Sequence, residues 1–369
     1  MKIEEINLYK MKMKMKNPFT TSFGTQQERL FILVEVKNEE GLSGWGECVT
    51  SEHPLYIEEF TDSSWIMLEK FLVPLLLKKE LAHPDEVHEL FSPYKRNHLA
   101  KSALDGAVWD LYAKTKGISL AEALGGEKQL IDVGVSLGIK ENIEDLLSEV
   151  KEKNEEGYKR IKIKIKPGKD VEVVRQVREH FPDIPLMVDA NSAYTLDDID
   201  VLKELDQFNL MMIEQPLTAG DLIDHAKLQK HLETPICLDE SIHSYDDARQ
   251  AIELGSGRII NMKVGRVGGL TEAKRIHDFC QQENIEMWCG GMLESGIGRA
   301  HNIAITTLAN FTLPGDTASS SRYWEKDITK PEVVATGGQV QVSKEPGIGY
   351  EVDLDEIMKH TVEKQHFVS

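Results

Sequence analysis

Five ionisable residues recur at a nearly constant distance along the chain: Lys164, Asp189, Glu214, Asp239 and Lys263, at steps of 25, 25, 25 and 24 residues. Four of them follow short apolar stretches, in "PLMVDAN", "LMMIEQP", "PICLDES" and "IINMKVG". A step of this size is that of a repeated unit of one strand, one helix and two loops. Three carboxylates brought together repel unless a cation neutralises them. A set of oxygen ligands without Cys or His suits a hard divalent ion, Mg2+ or Mn2+, rather than zinc. Taken singly, each acid reads better as the cap of the next helix; three in phase point to a metal. A lysine on either side of the ion suggests proton transfer at carbon. The ion would hold a substrate carboxylate and stabilise the enediolate formed as the α-proton leaves. A free lysine is protonated at neutral pH, so a lysine base needs nearby positive charge and desolvation. Lys162, on the same strand face as Lys164, and Arg266, three residues past Lys263, are the candidates to supply it. For Arg266 an ion pair or loop packing stands as an equal alternative.

The elements that must position these groups follow from the texture of the chain. From residue 131, eight short apolar stretches alternate with helix-length segments, from "DVGVSLG" and "RIKIKIK" to "IEMWCGG" and "NFTLPGD". Such alternation requires parallel strands joined by crossover helices. Eight of them predict an α/β fold, a (β/α)8-type barrel, whose C-terminal mouth carries the five residues. Counted from 131, Lys164 falls on the second strand, the acids on the third to fifth, and Lys263 on the sixth, so that the lysines oppose each other across the ring. The preceding part reads as α+β, with strands over 1–13 and 29–36 and helices over 56–76 and 100–117. The expected division is a capping domain over 1–126, a barrel over 127–319, and a segment over 320–369 that packs back on the cap.

Two lysine ladders share the alternating pattern. In "YKMKMKMKNP" the methionines would face the core and Lys10, Lys12, Lys14 and Lys16 the solvent, which a strand with one wet side explains fully. In "RIKIKIKPG", Lys164 is in phase with the acids, while Lys166 adjoins a Pro-Gly turn and reads as solvated.

Charge and composition exclude several classes. A net charge of −19 opposes a nucleic-acid surface. No N-terminal apolar segment reads as a signal peptide, and no apolar run would span a bilayer. Cys48, Cys237, Cys280 and Cys289 lack C-x-x-C spacing, which fits free thiols. A cytoplasmic protein, with neither nucleic-acid nor membrane partners, is expected.

Together "SALDGAVWDLYAKTKG", "KIKIKPG", "VDAN", "IEQP", "CLDES", "INMKVGRVGG" and "GGMLESGIGRA" resemble the enolase superfamily, in its muconate-lactonizing branch. Within it, the chain is most similar to the o-succinylbenzoate synthases that overlap with N-acylamino acid (N-succinylamino acid) racemases. The resemblance covers nearly the whole chain and implies a modified (β/α)7β barrel, a small carboxylate substrate and a homo-oligomer. It makes Lys164 and Lys263 the acid/base pair and Asp189, Glu214 and Asp239 the metal ligands. For a synthase it implies syn elimination of water, with Lys164 moving the proton and Lys263 remaining a cation; for a racemase, both lysines act, one on each face of Cα. Dipeptide epimerases of the branch carry Asp-x-Asp after the last strand. Here "PGDTASSS" has Asp316 alone, which favours an acylated or non-amine substrate. A cap loop at "NPFTTSFG" would close the mouth with Phe19 and Phe23, for which packing between domains is an equal reading. Further substrate contacts are expected at Ser136, Asn191, Gly291 and Met292. Dehydration, racemisation and a catalytically silent metal-stabilised barrel remain as three readings, the opposed lysines counting against the last.

Overall fold

The computed structural model describes residues 1–21, 24–77 and 79–369. At the N-terminus, β1 (Ile3–Thr21), β2 (Gly24–Asn38) and β3 (Ser43–Cys48) form an antiparallel meander. The first two strands are longer than the sequence pattern suggests, because the polar tip continues to pair, Phe19 opposite Gln26 and Thr20 opposite Thr25. Met11, Met13 and Met15 are buried while Lys12, Lys14 and Lys16 are exposed, the alternation of a strand with one wet side. Lys10 departs from that scheme. It pairs with Glu363 at 2.6 Å and Asp62 at 3.2 Å and lies 4.8 Å above the Trp65 ring.

The helix His98–Lys116 packs against β3, and two glycines decide how closely. A Cβ at Gly46 would stand 1.9 Å from the Ala103 carbonyl oxygen, and one at Gly44 would stand 2.2 Å from that of Ala107. Only residues without a side chain allow strand and helix backbones to meet here. Two cores result. Ile6, Leu8, Ile32 and Val34 pack with this helix, whereas Met11, Met13 and Met15 pack with the barrel residues Leu137 and Ile163. β1 therefore belongs to both.

After β4 (Leu130–Asp132) the parallel sheet begins with β5 (Val135–Leu137), β6 (Ile161–Lys164), β7 (Leu186–Asp189) and β8 (Ile213–Glu214). It continues through β9 (Ile236–Leu238), β10 (Ile259–Met262) and β11 (Glu286–Cys289), each strand neighbouring the next in sequence. In place of the eighth expected strand, residues 310–316 form an irregular segment with one isolated bridge, Gly315 to Val133. Leu313 N and Asp316 N donate to the Met287 and Cys289 carbonyls at 3.2 and 2.8 Å, and the Gly315 carbonyl accepts from Gly134 N at 2.7 Å. It thus bridges β11 to the start of the sheet. Pro314, with no N–H, shortens its ladder. The product is a modified (β/α)8 barrel under an antiparallel cap.

The C-terminal part returns by two routes. β12 (Thr329–Lys330) pairs with β14 (Glu351–Val352), and β13 (Gln339–Gln341), between them in the chain, pairs with β4. β15 (Thr361–Val368) then adds to the edge of β1, with Ile6 opposite Phe367. Among the described residues no helix is long and apolar enough to cross a membrane. All four cysteines are free and buried.

Candidate active site

Register brings the spaced residues to one end of the sheet. Lys164 stands opposite Asp189, and Asp189 opposite Glu214; Asp239 and Lys263 come one residue after β9 and β10. Lys164 Nζ donates to Asp189 Oδ2 at 2.5 Å and to Asn191 Oδ1 at 2.6 Å. Two residues earlier on the same face, Lys162 Nζ lies 2.9 Å from Glu214 Oε2, 3.4 Å from Asp316 Oδ2 and 3.5 Å from Asp189 Oδ2. Its ammonium also sits 4.7 Å above the Trp288 ring. Asn261 Nδ2 donates to Glu214 Oε1 at 2.7 Å.

On the opposite side, Lys263 Nζ donates to Asp239 Oδ2 and to the Tyr56 hydroxyl, both at 2.7 Å. Arg266 is fully buried behind it. It forms an ion pair with Asp239 and donates to Tyr56 Oη at 2.8 Å and to the Ile242 and Asn261 carbonyls at 2.8 and 3.0 Å. Arg266 is thus both an ion pair and a source of positive charge beside Lys263.

Burial opposes every charge in this cluster, and the neighbours decide the outcome. Burial, reinforced by Asp189, pushes the Glu214 carboxyl up to about 8. Asp239 goes the other way, because Arg266 and Lys263 outweigh burial and hold it well below the usual carboxylate range. Burial would lower Lys263, but Asp239 and Tyr56 together raise it, against a smaller opposing effect of Arg266. Lys162 is likewise kept charged against burial by Asp316, Glu214 and Asp189.

Among the described residues, no three His, Cys, Asp or Glu side chains converge closely enough to hold a metal ion as they stand. The three acids turn to cations instead, Glu214 to Lys162, Asp189 to Lys164 and Asp239 to Lys263 and Arg266. The donor set nevertheless fits a hard divalent ion: it offers only oxygens, buried at adjacent strand ends. Glu240, next to Asp239, also keeps a buried Oε2 with no hydrogen-bond partner.

Above these groups a cavity of about 980 Å3, counting its open part, lies between cap and barrel. Phe19, Ser136, Asn191, Gly291 and Met292 line it together with Lys162, Lys164, Asp189 and Lys263. Arg266, Glu214 and Asp239 lie behind that lining, and Phe23 falls outside the described residues. Asp316 is already engaged, ion-paired to the buried Arg160 and accepting from Ser136 Oγ at 3.0 Å. Sequence reasoning missed Tyr56, Glu240 and Arg160. Tyr56 comes from a cap loop with no period to mark it, whereas Glu240 was within reach as the neighbour of Asp239 in "CLDES".

Comparison with known proteins agrees with the fold. Residues 3–125 match the mandelate racemase/muconate lactonizing enzyme N-terminal domain, and residues 145–357 match the enolase C-terminal domain-like family. An o-succinylbenzoate synthase from Geobacillus kaustophilus is 60% identical over 97% of this chain and 96% of its own. An N-succinylamino acid racemase from Thermus thermophilus is 46% identical over 98% of each. The crystal structure of an enolase superfamily member from Listeria innocua superposes with a TM-score of 0.97 at 43% identity, covering 100% of this chain and 99% of that one. The two domain matches together span most of the sequence, and the chain belongs to the enolase superfamily.

Proposed function

We propose that the chain is an o-succinylbenzoate synthase, a carbon–oxygen lyase of the cytoplasm that dehydrates 2-succinyl-6-hydroxy-2,4-cyclohexadiene-1-carboxylate in menaquinone biosynthesis. The observation that carries proton transfer at carbon is the placement of Lys164 and Lys263 on strand ends four apart, lining one cavity with Asp189 between them. The 60% identity to a synthase supports the choice of substrate. Residues 1–126 and 320–369 would serve as cap and 127–319 as barrel.

Asp189, Glu214 and Asp239 would hold Mg2+ or Mn2+, the usual cofactor class of this superfamily. Such an ion, when bound, would offset the charge that builds on the substrate carboxylate as the α-proton leaves. Lys164 removes that proton and returns one to the departing hydroxyl on the same face. With Asp189 and Asp239 engaged by such an ion, Lys164 and Lys263 would no longer be held by these acids. Lys263, backed by Arg266 and Tyr56, stays an ammonium and stabilises the enediolate by charge and hydrogen bonding. The cap excludes water from the reacting carbon. Asp316, neutralised by Arg160 and Lys162, has no charge left for a substrate amine, which supports an acylated or non-amine substrate.

The opposed lysines equally support 1,1-proton transfer, so racemisation of N-acylamino acids is the second reading, favoured by the Thermus relative. Two assays in D2O with Mg2+ separate them, one with the cyclohexadiene precursor and one with an N-succinylamino acid. Dehydration without Cα exchange leaves the synthase alone. Exchange and racemisation without dehydration would overturn it.

A further inference from the structure

The cap contributes one buried cation that the reaction above does not use. Arg29, on β2, is 3% exposed, and it lines the same cavity as Lys164 and Lys263. Its hydrogen bonds go to neutral groups only. Nη1 donates to Ser51 Oγ at 3.0 Å and to Gln26 Oε1 at 3.5 Å, and Nη2 to the Val49 carbonyl at 3.4 Å. Nε is buried without any partner. Glu47 and Glu294 bear on the guanidinium electrostatically, but both are engaged elsewhere. Glu47 accepts from Ser295 N and Gly298 N, and Glu294 from Met292 N and Asn302 Nδ2.

Burying a guanidinium on such a set is costly, since a desolvated charge needs a hydrogen-bonded counter-charge. A guanidinium edge is shaped to receive two carboxylate oxygens side by side. The substrate read above carries a second carboxylate at the end of its succinyl arm, remote from the reacting carbon. Arg29 stands on the cap side of the cavity and the lysines on the barrel side. We infer that Arg29, with Ser51 and Gln26 beside it, receives the distal carboxylate of a dicarboxylate substrate. The assignment rests on the proposed reaction only for the presence of that second acid.

Calorimetric titration of the Mg2+-supplemented full chain with o-succinylbenzoate and with 2-butyrylbenzoate tests it, since the second ligand lacks only the distal carboxylate. Wild type should bind the succinyl compound about 10- to 100-fold more tightly, the range of a hydrogen bond to a charged group. Arg29→Met should abolish that preference while leaving affinity for 2-butyrylbenzoate within about twofold, and Arg29→Lys should retain part of it. In turnover the loss should appear in KM with little change in kcat, as expected for binding remote from the reacting atoms. Equal affinity of wild type for both ligands, binding of neither, or a parallel loss of both in Arg29→Met overturns the assignment. Dehydration of the precursor by wild type is read separately. Turnover without ligand preference removes the receptor alone, and preference without turnover removes the reaction alone.

Discussion

Tyr56 is where cap and barrel chemistry meet, because a single hydroxyl accepts from both Lys263 and Arg266. Tyr56→Phe should lower kcat/KM for dehydration about tenfold, the worth of one or two hydrogen bonds to charged groups, with little change in melting temperature. Steady-state kinetics and a thermal melt check this; an unchanged rate would make the hydroxyl a spectator. Lys164→Ala should abolish both dehydration and Cα exchange, measured by product absorbance and by deuterium incorporation. Residual turnover near wild type would refute its role in proton transfer. The five in-phase residues were legible because each is the last or next residue of its own strand, and one step of the fold separates them. Tyr56, Arg29 and Arg160 left no such mark. They reach the mouth from a loop, from the cap sheet and from below Asp316, where tertiary packing alone decides position.

At the scale of elements, cap and barrel are joined through helix ends. Glu47, at the end of β3, accepts from the backbone N–H groups of Ser295 and Gly298 at the start of the helix Gly296–Thr306. Within the cap itself, Glu59 accepts from Leu99 N at 3.0 Å, at the start of the helix His98–Lys116. Burial pushes both carboxyls up from 4.5 to about 7, although these hydrogen bonds resist it. Between those values the folded chain binds more protons than the unfolded one. The stabilisation from these groups is therefore complete below about pH 4.5 and lost as pH rises through about 7. Urea unfolding at fixed Mg2+ should show stability declining between about pH 5 and 8, less steeply in Glu47→Gln. A slope identical to wild type would exclude Glu47 as a contributor. Gly46→Ala drives a methyl into the Ala103 carbonyl and should cost about 2 kcal/mol or more in the same measurement. The strand–helix alternation was plain in the sequence, whereas this contact was not, since nothing local distinguishes Gly46 from a turn glycine.

For the molecule as a whole, a divalent ion bound as proposed would compete with the lysines for the same carboxylate oxygens. Chelation with EDTA should abolish turnover, and Mg2+ or Mn2+ should restore it, as an assay of activity against added metal shows. Activity that survives exhaustive chelation would contradict the metal reading. The barrel was expected with eight strands; among the described residues its sheet has seven, closed by the segment 310–316, because Pro314 interrupts the ladder that the apolar pattern of "NFTLPGD" suggests.

That closing segment has a consequence for how the fold can diversify. Asp316 donates its backbone N–H to β11 and so helps to fasten the ring, while its carboxylate balances Arg160 and Lys162 beneath the mouth. If Asp316 excludes substrate amines as proposed, mechanical closure and choice of substrate share a residue. A descendant that acquired affinity for substrate amines by altering position 316 would have to refit the charges under its barrel in the same step, which makes that route to new specificity a steep one.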